Sequence, residues 1–200
     1  MPLLLLGQLC MVKMDSKKLY DLAEGIRKCT ACPLCKGRML AVPGEGKIDS
    51  GVLIVGEAPG AEEDRLGQPF VGRAGKLLNE LLETAGINRA EVFITNCVKC
   101  RPPKNRNPNS LELKTCRKWL DSQISVVKPR LIIVLGRVAL KNLTGKEKIK
   151  DLHGTVYEDA GQKYFITYHP SAGLRFKWIK EVLFEDTKNL KKILAHLKNK

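Results

Sequence analysis

Two hundred residues, 44% of them hydrophobic, are enough to bury one real core and too few to divide comfortably into two large domains. Lys and Arg outnumber Asp and Glu by 35 to 21, and the net charge of +14 attracts polyanions, chiefly nucleic acid or an anionic membrane surface, though charge alone does not separate a DNA-binding chain from a merely basic one. No continuous run of 18 apolar residues exists, which excludes a membrane-spanning helix, and seven cysteines in a chain without a convincing export signal argue against a disulfide framework and for metal or cluster binding.

The opening MPLLLLGQLCMVKM has no basic region ahead of its apolar residues and no small-residue cleavage site, so the chain reads as cytoplasmic. Met11 and Met14 offer later starts, and residues 1–13 are set apart as an N-terminal extension before a single domain over 14–200. Leu19, Leu22, Ala23 and Ile26 recur at helical spacing and run straight into Cys29-Thr-Ala-Cys32-Pro-Leu-Cys35. Val52–Val55 is a short apolar strand that stops at Gly56-Glu57-Ala58-Pro59-Gly60. Leu77, Leu78, Leu81, Leu82 and Ala85 mark a helix that Gly86 is placed to end, and residues 91–95 form a second strand.

A basic loop from Asn96 to Asn109 follows, too rich in proline and asparagine for a regular element. Asn109 with Glu112 resembles a capping box and opens a helix to about Val127 that carries Cys116 on its apolar stripe. Leu131–Leu135 is a third strand, followed by a helix over about 137–143, and Tyr164–Thr167 is a fourth, leading into Tyr168-His169-Pro170-Ser171. The last thirteen residues form an amphipathic helix expected to pack on the domain. Nearly all-apolar strands alternating with helices predict an α/β fold with a parallel sheet covered on both faces and ligands at the carboxyl ends of its strands.

Three features fall at predicted strand ends. Glu57 in its glycine-bounded turn supplies a carboxylate, Asn96 offers an acceptor and two donors that match the edge of a pyrimidine, and His169, held extended by the proline after it, can donate to a developing anion. Each taken alone is more simply a solvated turn residue or a structural histidine. Phe70, in a glycine-rich loop, is equally a stacking ring or a core residue. Glu62, Glu63 and Asp64 read as a solvated loop. Among the cysteines, spacing pairs Cys29-x-x-Cys32 with Cys97-x-x-Cys100 as in a structural zinc site, while Cys29, Cys32, Cys100 and Cys116 make an alternative set; four thiolates suit zinc or a 4Fe-4S cluster alike.

Gly56-Glu-Ala-Pro-Gly-Ala-Glu-Glu-Asp64, Gly67-Gln-Pro-Phe-Val-Gly-Arg-Ala-Gly75, Asn96 with Lys99-Cys-Arg-Pro-Pro103, and Thr167-Tyr-His-Pro-Ser171 with Leu174-Arg175 resemble, in order, the family four uracil-DNA glycosylases of thermophilic bacteria and archaea. The resemblance implies a three-layer α/β/α fold on a four-stranded, mainly parallel sheet, excision of uracil from single- or double-stranded DNA in base excision repair, and a structural 4Fe-4S cluster on Cys29, Cys32, Cys100 and Cys116 rather than zinc. It implies further that Glu57 activates or positions water and His169 holds the uracil anion. Phe70 stacks on the base and Asn96 reads its edge, with Gly56, Ala58, Gly60, Ser171 and Arg175 around them and Leu174 as the wedge that enters the duplex.

In two places the chain departs from the pattern. Ala58 stands where better-known glycosylases carry a water-activating Asp, and Ser171-Ala-Gly-Leu174 replaces a bulkier pair after the His-Pro step. The chain is expected to act as a monomer, with a sliding clamp as a candidate partner and no membrane. A non-catalytic DNA-binding or polymerase-associated module, and an iron–sulfur nuclease, are the competing readings; the first predicts salt-sensitive binding without abasic product, the second a need for divalent metal.

Overall fold

A computed structural model describes the backbone of residues 3–198 and the side chains of 15–196 apart from residue 50. The side chains of residues 1–13, set apart as an extension, lie outside what is described; the backbone helix α1 runs from Leu3 to Arg27, without a break at residue 14. Among the described residues no helix is long and apolar enough to cross a membrane.

Six strands form one sheet in the order β1-β3-β2-β4-β6-β5, comprising Glu45–Gly46 (β1), Val52–Gly56 (β2), Phe93–Asn96 (β3), Leu131–Leu135 (β4), Val156–Asp159 (β5) and Gln162–Thr167 (β6). The four inner strands are parallel and are the four that the apolar runs predict. The two edge strands correct the four-stranded expectation: both pair antiparallel, and both are too short or too exposed to leave an apolar run.

Alternation along the strands sorts the core into two layers. Leu53, Val55, Phe93, Ile132, Val134 and Ile166 face helices α4 (Ser110–Val127) and α5 (Arg137–Thr144). Ile54, Ile94, Leu131, Ile133, Leu135 and Phe165 face α3 (Arg73–Ala85) and α7 (Lys177–Lys198). Each such side chain contributes about 1.5–3 kcal/mol by leaving water, so the sandwich is fixed by strands that have no solvent face. Helix α7 begins well before the predicted last thirteen residues, because Ile179 and Leu183 extend its buried stripe toward α3.

The predicted capping box at the start of α4 is present: Asn109 Oδ1 accepts from the Glu112 amide and the Glu112 carboxylate accepts from the Asn109 amide. Two short helices complete the fold, α2 (Ala61–Leu66) and α6 (Pro170–Gly173). Chain order reverses at β2, with β3 on one side and β4 on the other, so the turn after Gly56 opens at the switch point where open α/β sheets bind ligands.

A candidate active site at the carboxyl ends of the strands

Gly56 ends β2 directly opposite Asn96, which ends β3. No side chain larger than hydrogen fits at Gly56, since a Cβ there would lie 2.4 Å from Asn96 Oδ1 and 2.5 Å from the Phe70 ring. Gly75 likewise allows the Phe70 backbone to close on it, a Cβ falling 1.8 Å from the Phe70 carbonyl oxygen. Phe70 itself has φ 52°, a conformation costly for an aromatic residue, and its ring stacks on His169 with centroids 5.7 Å apart.

The result is a cavity of about 290 Å³ whose walls include Glu57, Ala58, Gly60, Phe70, Asn96, His169, Ser171 and Arg175. Gly56 is not among the lining residues, though it abuts Asn96 and Phe70, which are, and Leu174 stands outside, 39% exposed at the end of α6. The loop after β3 returns to close the far side with Pro102, Asn105, Arg106 and Asn107. Arg106 is fixed there by a two-pronged ion pair with buried Glu112, at 2.8 and 2.7 Å.

The groups in this cavity are electrostatically unusual. Asn96 is 1% exposed and its Oδ1 is buried with no hydrogen-bond partner, an arrangement that costs about 1–3 kcal/mol unless a donor arrives. His169 Nδ1 accepts from the Ser171 amide at 3.1 Å and lies 2.8 Å from its hydroxyl, which leaves the proton of the neutral ring on Nε2. Desolvation, with Arg175 nearby, pushes the His169 pKa down to about 4, so the ring is neutral at physiological pH. Burial raises the Glu57 carboxyl above its ordinary value, opposed by Arg137.

Glu63 and Asp64 correct the expectation of a solvated acidic loop. Both are buried on α2: Glu63 accepts from the amides of Gly60, Val71 and Gly72, tying the Gly56–Gly60 turn to the Phe70 loop, and Asp64 accepts from the Met39 amide. Only Glu62 is exposed, paired with Arg65.

The cysteines gather elsewhere. Cys29, Cys32, Cys100 and Cys116 line one small cavity between the end of α1 and α4, and Cys35 joins them. Its signal was a second C-x-x-C interval overlapping the first. Cys97 is not among them; it sits in the core layer under α4 and α5, away from the cavity that the other cysteines line, and that placement removes it from the zinc-like pairing. N–H donors surround the sulfurs, with Arg38 Nη1 3.0 Å from Cys100 Sγ and Trp119 Nε1 3.4 Å from Cys29 Sγ. Among the described residues no group of three or more His, Cys, Asp or Glu side chains is arranged to hold a metal ion.

Between cavity and pocket lies Lys99, 1% exposed. Its Nζ donates at 2.7 Å to Thr95 Oγ1, to the Asn96 carbonyl and to Gln123 Oε1, and burial lowers its pKa to about 8. A lysine in a basic loop reads as a phosphate contact, so this role was not legible.

Residues 43–198 match the family model of the uracil DNA glycosylase superfamily. The chain belongs to that superfamily. Among curated relatives it is 52% identical to a type-4 uracil-DNA glycosylase of Pyrobaculum aerophilum, with 81% of this chain and 86% of that protein covered. It is 42% identical to the type-4 enzyme of Thermotoga maritima (86% and 92% covered) and 44% identical to that of Saccharolobus solfataricus (87% and 85%). The three-layer α/β/α architecture is the fold of the superfamily.

Proposed function

We propose that this chain is a type-4 uracil-DNA glycosylase that hydrolyses the N-glycosidic bond of deoxyuridine extruded from DNA, leaving an abasic site. The observation that carries the reading is the unpaired, buried Oδ1 of Asn96 at a cavity with room for a pyrimidine. The N3–H of uracil supplies the missing donor, whereas cytosine presents an acceptor there and leaves two acceptors face to face. Phe70, locked against His169, offers one face to the base.

As the glycosidic bond lengthens, negative charge grows on the uracil O2 and positive charge on the sugar. His169, its Nδ1 engaged by Ser171, directs a neutral Nε2–H at that oxygen, a donor worth on the order of 3 kcal/mol in the barrier. Glu57, ionised, holds the attacking water and faces the oxocarbenium-like sugar, a role for which no neighbouring Asp exists because residue 58 is alanine. Arg175 and Arg106 at the rim meet phosphates.

Cys29, Cys32, Cys100 and Cys116 fit a 4Fe-4S cluster by donor type and by the N–H groups around them, and they would hold it to pin α1 against α4 and the loop that carries Asn96. Bound there, such a cluster would serve as a rigid anchor.

The test is single-turnover release of base from oligonucleotides bearing one deoxyuridine or one deoxycytidine. Uracil alone should be released, and Asn96→Ala should slow it about a hundredfold, the cost of one lost transition-state contact. Equal release from both substrates would contradict the reading.

A further inference from the structure

Resting on the glycosylase reading, the segment that leaves the pocket carries a second feature. Leu174, Arg175, Phe176, Lys177 and Trp178 are five consecutive exposed residues in which apolar and basic side chains alternate. Phe176 is 52% and Trp178 56% exposed, unusual for large aromatic rings on a protein without a bound partner. The segment is nonetheless held: the amides of Arg175 and Phe176 donate to the Ala172 carbonyl, and Gly173 and Ile179 on either side are buried. A Cβ on Gly173 would fall 2.7 Å from Leu183.

The Trp178 ring is also braced. It meets Tyr168 edge-on, with centroids 5.9 Å apart, and Tyr168 packs on His153 at 5.1 Å. His153 Nδ1 lies 2.9 Å from Asp186, which accepts from Thr167 at the end of β6. The brace therefore starts two residues before His169.

We infer that Trp178, with Phe176 beside it, is a stacking surface for an unpaired nucleotide adjoining the extruded uracil, so that single-stranded DNA gains a contact that a paired strand does not. Three features select nucleic acid over a protein partner. The surface continues from pocket residues Ser171 and Arg175, Arg175, Lys177 and Lys180 interleave or flank the rings, and a pre-braced ring loses little freedom on stacking. In a duplex the base beside the extruded uracil stays paired and stacked on its outer neighbour, and the face that uracil vacates lies inside the helix, out of reach of a ring on the surface.

The full chain is tested with one oligonucleotide carrying a non-hydrolysable deoxyuridine analogue, single-stranded and annealed, with 2-aminopurine next to the analogue. Trp178→Ala should weaken single-strand binding about tenfold, weaken duplex binding less, and abolish the quenching of 2-aminopurine, with Trp178→Phe recovering most of the loss. Because no charge is removed, the slope of affinity against salt should not change, whereas mere damage to the basic face would lower it. Single-strand affinity within about twofold of the parent protein, or an equal loss on duplex, would overturn the inference and leave the patch to a protein partner. Uracil release by the parent protein is scored separately: if it fails while the Trp178 effect stands, the glycosylase reading falls and the stacking surface remains.

Discussion

The pocket and the cysteine-lined cavity share one stretch of chain, Asn96 to Cys100, yet their polar groups are satisfied on opposite terms. In the pocket an acceptor is left bare, a histidine is kept neutral and a carboxyl is raised by burial, so the site is poised for a ligand that brings donors and develops charge. Around the cavity two of the sulfurs are met by N–H groups, Cys100 by Arg38 and Cys29 by Trp119, an arrangement that suits the proposed cluster ligands. Lys99 joins the two, its ammonium gripping the Asn96 carbonyl one residue before Cys100. On the proposed reading, reactivity and rigidity are separated by a few residues, with one side doing chemistry and the other fixing where Asn96 stands.

If that division is right, variants of each side fail differently. Cys116→Ser should remove the visible absorbance that the proposed 4Fe-4S cluster would give and lower Tm by roughly 10 °C, the shift expected for about 3–4 kcal/mol in a chain of this size. Gly56→Ala should do the reverse: the cluster site is untouched and Tm falls by only a few degrees from local overpacking, while the new methyl displaces Asn96 and Phe70 and slows uracil release about a hundredfold, as an ångström of misplacement does. Lys99→Met lies between, costing about 1–3 kcal/mol for acceptors left short of a donor and raising KM and lowering kcat together as Asn96 loosens.

The smallest effect is in pH. In the proposed mechanism Glu57 must be ionised, and its raised pKa would place the acid limb of kcat above the ordinary carboxylate value of 4.5. His169, near 4, adds no limb around 6.5. Glu57→Gln should erase the limb and His169→Ala should keep it; a limb near 6.5 that vanished with His169 would break the neutral-donor account. For stability the sign follows from the same shift: the unfolded chain takes up the His169 proton first, so stability falls as pH drops from 6.5 toward 4.

The inner strands were legible because Val52–Val55 and Leu131–Leu135 are unbroken apolar runs stopped by glycine, a pattern that suits a strand covered on both faces, and the helical patterns between them point to a parallel sheet. Val156–Asp159 was not, since a mostly exposed edge strand carries no such run. Glu57, Asn96 and His169 could be placed together because all three follow strand ends, which topology brings to one edge. Glu63 and Lys99 could not, because a charge signals solvent until the amides of residues 60, 71 and 72, or the side chain of Gln123, arrive from distant parts of the chain to satisfy it. Helix α7 was only half seen, its first turns hidden by the charged residues between Ile179 and Leu183.

The most direct measurement is single-turnover uracil release by the protein carrying Glu57→Gln and His169→Ala together, compared with the parent on the same single-deoxyuridine strand. Loss of water activation and of the anion's donor, each worth about a hundredfold, predicts a rate lower by at least about a hundredfold, and roughly ten-thousandfold where the two losses add, in protein shown by circular dichroism to be folded. Abasic product formed at the parent rate would place the chemistry outside this pocket.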